Sequence, residues 1–454
     1  MMDNKIIWIK QAQDRLKDFG PGMCLAKWTQ TTLHLPTGHT HSCHHPGTHK
    51  IPLEEIAADP SALHNTSFKK EQRKMMMTGS RPEECHYCWQ VEDNAPPGVL
   101  SDRIYKSSEE WSRDRFKEVK QVGFTGNISP GYLEVSFSYG CNFKCAYCSP
   151  EISSKWMEEI KQYGGYPTSF NYNNLDHIKH MNKMPIAERE DNPYVDAFWQ
   201  WWPDLYPTLH TFRITGGEPL MTKHTFRVLD YIIEHPNKNL DLAINSNCVV
   251  EPKLFDKFVE KIKIIQERKL VKSFMLFTSC EAHGVKADYI RNGMDYNIWL
   301  ENCNRFLREV PTAHFSIMST YNALSVTSYK EFLQDVLAMK INNHNKHRSI
   351  NIDVPYLDNP KWMSVRILPQ EYKQTILEQV QFMRDNHCEG KGFQSWEMDR
   401  LDRIQYLIPD ERDLTYLKDF WLFFNEHDRR RGTDFLATYP EFSNFYNYCK
   451  SLNS

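Results

Sequence analysis

The sequence predicts an α/β fold: a partial (βα)6, TIM-like barrel over 126–362, preceded by a cysteine-rich module over 1–125 and followed by a helical region over 363–454. Three observations predict it. After Gly131, six short runs rich in β-branched and aromatic residues alternate with runs of helical period, the pattern of a parallel sheet with right-handed crossovers. Seven of the twelve cysteines lie before residue 150. After about residue 365 the apolar spacing is helical only.

The predicted strands are "YLEVSFS" (132–138), "TFRIT" (211–215), "LDLAINS" (240–246), "SFMLFTS" (273–279), "HFSIMST" (314–320) and "INIDVPYL" (350–357). Between the later ones stand "HTFRVLDYIIEH", "PKLFDKFVEKIKIIQ", "YNIWLENCNRFLREV" and "SYKEFLQDVLAMK", each with apolar residues at helical spacing. The length suits a barrel left open where eight units would close it. The stretch 163–210, with "FWQWWPDLYP", is long for one connection and is expected to carry a helix and loops over the site. "QEYKQTILEQVQFMRDN" and "DLTYLKDFWLFFNEHDRR" are helices of the last region.

Composition excludes several classes. Hydrophobic residues make up 40% and charged residues 25% of the 454 positions, ordinary for a soluble globular chain of two or three domains. A net charge of −3 argues against generic nucleic-acid binding. The start, "MMDNKIIWIKQAQDRLKDFG", lacks the apolar core of a signal peptide, and no apolar run reaches bilayer length. No membrane partner is therefore expected, and the expected location is the cytoplasm. In that reducing compartment twelve cysteines point to metal or redox chemistry more than to disulfides.

The loop "CNFKCAYCSP" (141–150) puts Cys141, Cys145 and Cys148 directly after the first predicted strand. A closed zinc site takes four ligands and a disulfide takes pairs. Three thiolates on a cubane cluster leave one iron without a protein ligand. Loops after strands line the active face of a βα barrel. Cys-x3-Cys-x2-Cys there resembles the signature of the radical SAM superfamily. "TGGEP" (215–219), one unit later, resembles that family's Gly-Gly-Glu motif, and "SCEAHGVKADYIRNG" (279–293) resembles its Ser-x-Asp/Glu stretch followed by Arg.

The resemblance implies a 4Fe–4S cluster on the three cysteines and S-adenosylmethionine (SAM) chelating the open iron. An electron from the cluster cleaves the sulfonium, and a 5′-deoxyadenosyl radical abstracts hydrogen from substrate, while the protein binds, orients and excludes water. It implies further that Gly216 and Gly217 let backbone approach the methionyl part, that Glu218 meets its ammonium and that Arg291 meets its carboxylate. Ser279 and Glu281 would bond the ribose, Asn322 would add a polar contact, and Tyr147 would sit near the adenine. Plainer readings stand beside these: a partial zinc site for the loop, a surface turn for Glu218, and a capped turn with an ion pair for Ser279, Glu281 and Arg291.

Upstream, Cys24, Gly38 with Cys43 five residues on, and Cys85 with Cys88 resemble the SPASM/twitch module of radical SAM enzymes, here placed before the barrel rather than after it. That resemblance implies a second, auxiliary 4Fe–4S cluster on Cys24, Cys43, Cys85 and Cys88. Zinc is the alternative, since Cys-x2-Cys suits zinc knuckles and histidines 34, 39, 41, 44, 45 and 49 lie close by.

The function expected is reductive cleavage of SAM to modify a peptide or protein side chain, with an electron donor such as flavodoxin or ferredoxin. Radical modification of a small metabolite, sugar or nucleotide is the alternative, and a non-catalytic iron–sulfur or zinc scaffold is the alternative of another class. Cys248 and Cys280, each after a predicted strand, are candidate catalytic hydrogen-atom donors or small buried cysteines. "FWQWW" (198–202) walls the site or packs a core, and "DRRRGTDF" (428–435) binds an anion or ends a helix.

Overall fold

The computed structural model describes residues 2–96, 98–170, 172–187 and 189–453. Eleven strands run in chain order: β1 (Gln30–His34), β2 (His39–His41), β3 (His49–Lys50), β4 (Tyr132–Ser136), β5 (Lys144–Cys145), β6 (Thr211–Thr215), β7 (Asn237–Asn245), β8 (Val271–Ser279), β9 (Arg291–Asn292), β10 (His314–Met318) and β11 (Ile350–Asp353). Nine form one sheet in the order β11–β10–β8–β7–β6–β4–β1–β2–β3, and β5 pairs with β9. The six strands read from the sequence are present as β4, β6, β7, β8, β10 and β11. The fold is a mixed α/β one with a large, mainly parallel sheet.

The chain forms two compact units. The first comprises Met1–Ser138, Pro185–Gly216 and His235–Ala243. Its β1 lies parallel to β4 in register Gln30↔Tyr132 to His34↔Ser136, so the amino-terminal stretch adds a strand that periodicity alone did not reveal. "QTTLH" earns its place by alternation. Thr31 and Leu33 are fully buried on one face, and the opposite face carries Gln30, Thr32 and His34. The turn into antiparallel β2 passes Gly38 at φ +63°, where a Cβ would stand 2.2 Å from the Tyr194 ring. "FWQWW" is core. Helix Pro193–Leu205, capped by the Asn192 side chain, sets Phe198 edge-on to Phe137 and Trp202 against Phe212. Met23, Trp28, Met76, Trp111 and Val119 build a second core around Cys24.

The second unit comprises Tyr139–Met184, Gly217–Glu234 and Ile244–Ser454. Here β8, β10 and β11 are parallel neighbours. Helices Pro252–Glu267 and Tyr296–Glu309 cover this part of the sheet through Phe258, Phe274, Phe306 and Phe315. The carboxy-terminal region is helical, as read from the sequence, and its longest member is Leu414–Arg431. Among the described residues no helix is long and apolar enough to cross a membrane.

Candidate functional site

In the second unit the three-cysteine loop is held from several directions. Cys148 N–H donates to the Cys145 carbonyl at 2.9 Å, which closes a turn. Ser153 Oγ donates to the Phe143 carbonyl and Trp156 Nε1 to the Cys145 carbonyl, both at 2.8 Å. From the long connection, Tyr172 OH and Asn173 Nδ2 both donate to the Cys148 carbonyl, at 2.7 and 3.0 Å. That part of the connection therefore lies on the loop, as expected, whereas its helix Pro193–Leu205 belongs to the first unit. Burial pushes the Cys141 thiol up to about 12 and also raises Cys145 and Cys148. Free thiols in this place resist ionisation, and a bound cation reverses that preference.

The "GGEP" stretch docks on the start of this loop. Glu218 N–H donates to the Gly140 carbonyl at 2.7 Å. A Cβ on Gly217 would stand 2.3 Å from that same carbonyl oxygen, and one on Gly216, at φ +128°, 2.5 Å from Ser136 Oγ. Close approach of the chain's own backbone thus accounts for both glycines. The Glu218 carboxylate, 2% exposed, accepts from Leu220 N–H at 3.0 Å, Ser246 Oγ at 2.8 Å and Asn247 N–H at 2.7 Å. Burial outweighs these bonds and raises its carboxyl to about 7. Asn247 Nδ2 donates to Asn142 Oδ1 at 2.8 Å, so the loop after β7 is tied to the cysteine loop as well.

Arg291 and Glu281 form a buried pair. Arg291 Nε and Nη2 donate to Glu281 Oε2 at 2.9 and 2.6 Å, and Nη2 also reaches Tyr147 OH at 2.5 Å. Arg291 Nη1 lies 3.8 Å from Cys145 Sγ. The backbone of this stretch carries β9, which pairs Arg291 with Cys145 of β5. Glu281 Oε1 is buried without a hydrogen-bond partner. Ser279 ends β8 opposite Met318. Asn322 spends its amide in its own turn, Oδ1 accepting from Leu324 N–H and Nδ2 donating to the Thr320 carbonyl. Cys248 and Cys280 are fully buried, and each thiol points at a carbonyl of its own loop, Ser246 or Ala282.

A charge group that braces the loop escaped the sequence reading. Glu159, Arg431 and Lys144 form a buried charge group: Glu159 Oε2 meets Lys144 Nζ at 2.9 Å and Arg431 Nε at 3.0 Å, and Arg431 Nη1 donates to the Lys144 carbonyl at 2.7 Å. Arg430 donates to the Gly164 and Gly165 carbonyls, both at 2.9 Å. "DRRRGTDF" is therefore neither an anion site nor merely a solvated helix end; two of its arginines tie the last long helix to the cysteine loop and the segment after it. The run of arginines at a helix end was the visible signal, but its partners lie some 270 residues away along the chain.

In the first unit, Cys24, Cys43, Cys85 and Cys88 converge. Burial first, and then charge on the fellow cysteines, raises Cys24 and Cys85 to about 12 and Cys88 to about 11. Among the described residues no three cysteine sulfurs lie within 4.8 Å of one another. Cations surround them. Lys27, 2% exposed, is paired with Glu84. Lys69 donates to Thr31 and Thr40 hydroxyls, and Arg73 to Asn65 Oδ1 and the Lys27 carbonyl. Lys69 and Arg73 are buried without a bonded carboxylate among the described residues, and burial lowers both, Lys69 well below the usual lysine range and Arg73 to about 9. The histidines divide: His34 stacks on His41, His49 meets Thr66, and His44 and His45 meet Asp102.

No protein-family profile matches the chain. It is similar to the GTP 3',8-cyclase of Campylobacter lari, 26% identical over 117 residues that cover 26% of this chain and 27% of that protein. It is also similar to the GTP 3',8-cyclase of Aliarcobacter butzleri, 26% identical over 132 residues, 29% of this chain and 30% of that one. The chain thus spans less than a third of the length of either relative. Among solved structures, Streptococcus suis SuiB bound to S-adenosylmethionine matches at TM-score 0.36 and 13% identity over 73% of this chain and 62% of that one. SuiB bound to precursor peptide SuiA matches at 0.33 and 12%, over 83% and 64%.

Proposed function

We propose that this chain is a radical SAM enzyme that reductively cleaves SAM at Cys141, Cys145 and Cys148 and abstracts hydrogen from a peptide or protein side chain. One observation carries the reading: Glu218, at the head of "EP", is drawn onto the three-cysteine loop by the bond from its N–H to Gly140. Cys141, Cys145 and Cys148 would hold a 4Fe–4S cluster, which together with bound SAM would supply the electron and the radical. The remaining work is done by the chain. A carboxylate has about four acceptor sites; three of Glu218's are filled from within, which leaves one for the SAM ammonium. Glu281 Oε1, buried and unpaired, is an acceptor for a ribose hydroxyl. Arg291 is already paired with Glu281, so its part is to hold Glu281 and to place positive charge near Cys145 Sγ, which favours the more negative, reduced cluster. Cys248 and Cys280 are given no hydrogen-transfer role, because both thiols are enclosed.

In this reading β4, β6, β7, β8, β10 and β11 form the partial (βα)6 barrel. Cys24, Cys43, Cys85 and Cys88 hold an auxiliary 4Fe–4S cluster, whose net negative charge Lys69 and Arg73 offset. Zinc thiolate would bring similar charge and is the alternative. A flavodoxin or ferredoxin supplies electrons in the cytoplasm. The relatives named GTP 3',8-cyclase favour a second reading, a nucleotide substrate. The test is anaerobic reconstitution and reduction with SAM. Formation of 5′-deoxyadenosine by the chain, and not by its Cys141, Cys145, Cys148→Ala variant, supports the assignment; equal formation by both rejects it. Deuterium transfer into 5′-deoxyadenosine from a labelled peptide library or from labelled nucleotides then separates the two substrates.

A further inference from the structure

Outside both cysteine groups, the first unit carries a third set of ligating side chains. His45 Nε2 stands 2.7 Å and His44 Nε2 3.3 Å from the same oxygen, Asp102 Oδ2. Ligating atoms of the three all lie within 4.8 Å of one another, and no other His, Cys, Asp or Glu group among the described residues meets that spacing. Two imidazole nitrogens and one carboxylate oxygen are a donor set of zinc and non-haem iron(II) sites that keep coordination positions open. Metal–ligand bonds of about 2.0–2.2 Å put neighbouring donors about 2.9–3.4 Å apart, octahedral to tetrahedral. The two histidine–aspartate distances, 2.7 and 3.3 Å, already stand near that spacing.

The ligands are positioned before any ion arrives. His45 is stacked on Tyr87 with ring centroids 3.8 Å apart and planes 14° from parallel, and only 13% of its side chain is exposed. Asp102 opens the helix Asp102–Ser108, fixed independently of the histidine stretch. His44, 62% exposed, is the ligand that meets solvent. His44 and Asp102 also line an open cleft of about 540 Å³. Gln30, 5% exposed, lines the same cleft, and its Oε1 is buried and has no hydrogen-bond partner among the described residues. A buried acceptor left unpaired is costly, and its place on a cleft points to a ligand that donates a hydrogen bond.

We propose that His44, His45 and Asp102 bind one divalent transition-metal ion, zinc foremost, whose open positions face the cleft and carry water or another oxygen ligand beside Gln30. The site is distinct from both sets of thiolates and does not depend on the SAM chemistry. Two other arrangements use the same residues: a metal-free His–Asp–His hydrogen-bonded group, and a histidine ligand to the centre at Cys43.

The full chain, anaerobically loaded with iron and sulfide, is dialysed against zinc alone and its metals are counted. One zinc per chain is expected in addition to the iron. Asp102→Asn and His44→Ala should each lose that zinc while keeping their iron and melting temperature; the exposure of His44 makes its variant the one that folds most safely. Cobalt(II) in place of zinc should give visible d–d bands without sulfur-to-metal charge transfer. Absence of extra zinc in the parent chain overturns the site in favour of the hydrogen-bonded group. Retention of zinc in both variants also overturns it. A sulfur charge-transfer band that disappears in Cys43→Ser assigns the ion to the thiolates instead.

Discussion

The two cysteine groups are assembled in opposite ways. In the second unit, Cys141, Cys145 and Cys148 sit within eight consecutive positions, and a turn hydrogen bond already draws the last two together. In the first, four cysteines come from a loop, the end of a hairpin and a short helical stretch, between Cys24 and Cys88. Closing a longer span costs more chain entropy, and the burial of Met23, Trp28 and Met76 around Cys24 offsets it. Charge differs too. Arg291 beside Cys145 has its own carboxylate in Glu281, whereas Lys69 and Arg73 have none bonded. The local loop comes with its arginine paired to a carboxylate; in the distributed group Lys69 and Arg73 meet hydroxyl, amide and carbonyl oxygens instead.

The largest effect should come from removing each group in turn. Changing Cys141, Cys145 and Cys148 to Ala should abolish 5′-deoxyadenosine formation and leave about four of about eight irons, the content of one cubane of two. Cys85→Ala should spare the loop's iron but lower the melting temperature, as loss of a folding metal does. Iron analysis and Mössbauer spectroscopy read the difference. One zinc and no iron in the loop variant would replace the auxiliary cluster by a zinc centre.

Next in size is Arg431→Ala, which strips a buried partner from Glu159. Denaturant unfolding should show a loss of about 3 kcal/mol, the low end for breaking a buried pair. The same group predicts a pH window. Burial raises the Glu159 carboxyl, but Arg431, Lys144 and Tyr166 outweigh it and hold it down at about 2, below its ordinary 4.5. Its stabilisation is thus complete above pH 4.5 and lost as pH falls toward 2. The acid limb of stability should flatten in Arg431→Ala; an unchanged limb would detach Glu159 from the loop's stability.

Glu218→Ala should weaken SAM binding roughly ten- to hundredfold, the worth of one charge-assisted hydrogen bond. Burial sets its carboxyl at about 7, so it is protonated and uncharged below that pH. SAM affinity should fall as pH drops through 7, by up to about tenfold per pH unit, and be flat above it. The variant should lose that slope. Equal affinity in parent and variant, with the cluster intact, would remove Glu218 from the cofactor. The smallest effect is Arg429→Ala. Its guanidinium is exposed, pairs with Glu426 three residues back and lies 5.4 Å from the Tyr163 ring centroid, so the melting temperature should barely move, in contrast to its neighbour Arg431.

Period-2 and helical spacing made six strands and the main helices legible, because those patterns report which face of each element is buried. β1 was harder to see. "QTTLH" is a short run with one large apolar residue, and its partner β4 begins about a hundred residues later. Glu218 was legible as a motif, yet its three internal donors were not, since two of them come from the loop after β7. Arg291 was legible as a cation beside the motif, yet its pairing with Glu281 was not.

The sequence by itself determined the ligand chemistry of the loop, because three thiols a few residues apart need only a turn to converge. It also determined the α/β class, which is written in short-range periodicity. Tertiary structure alone decided what stabilises that loop and what stands beside each thiol. Glu159 with Arg431, Glu218 with Ser246, and His45 with Asp102 are pairs that short-range spacing cannot report. Their energies depend on burial and on distances of a few ångströms, and those are fixed only when remote segments pack.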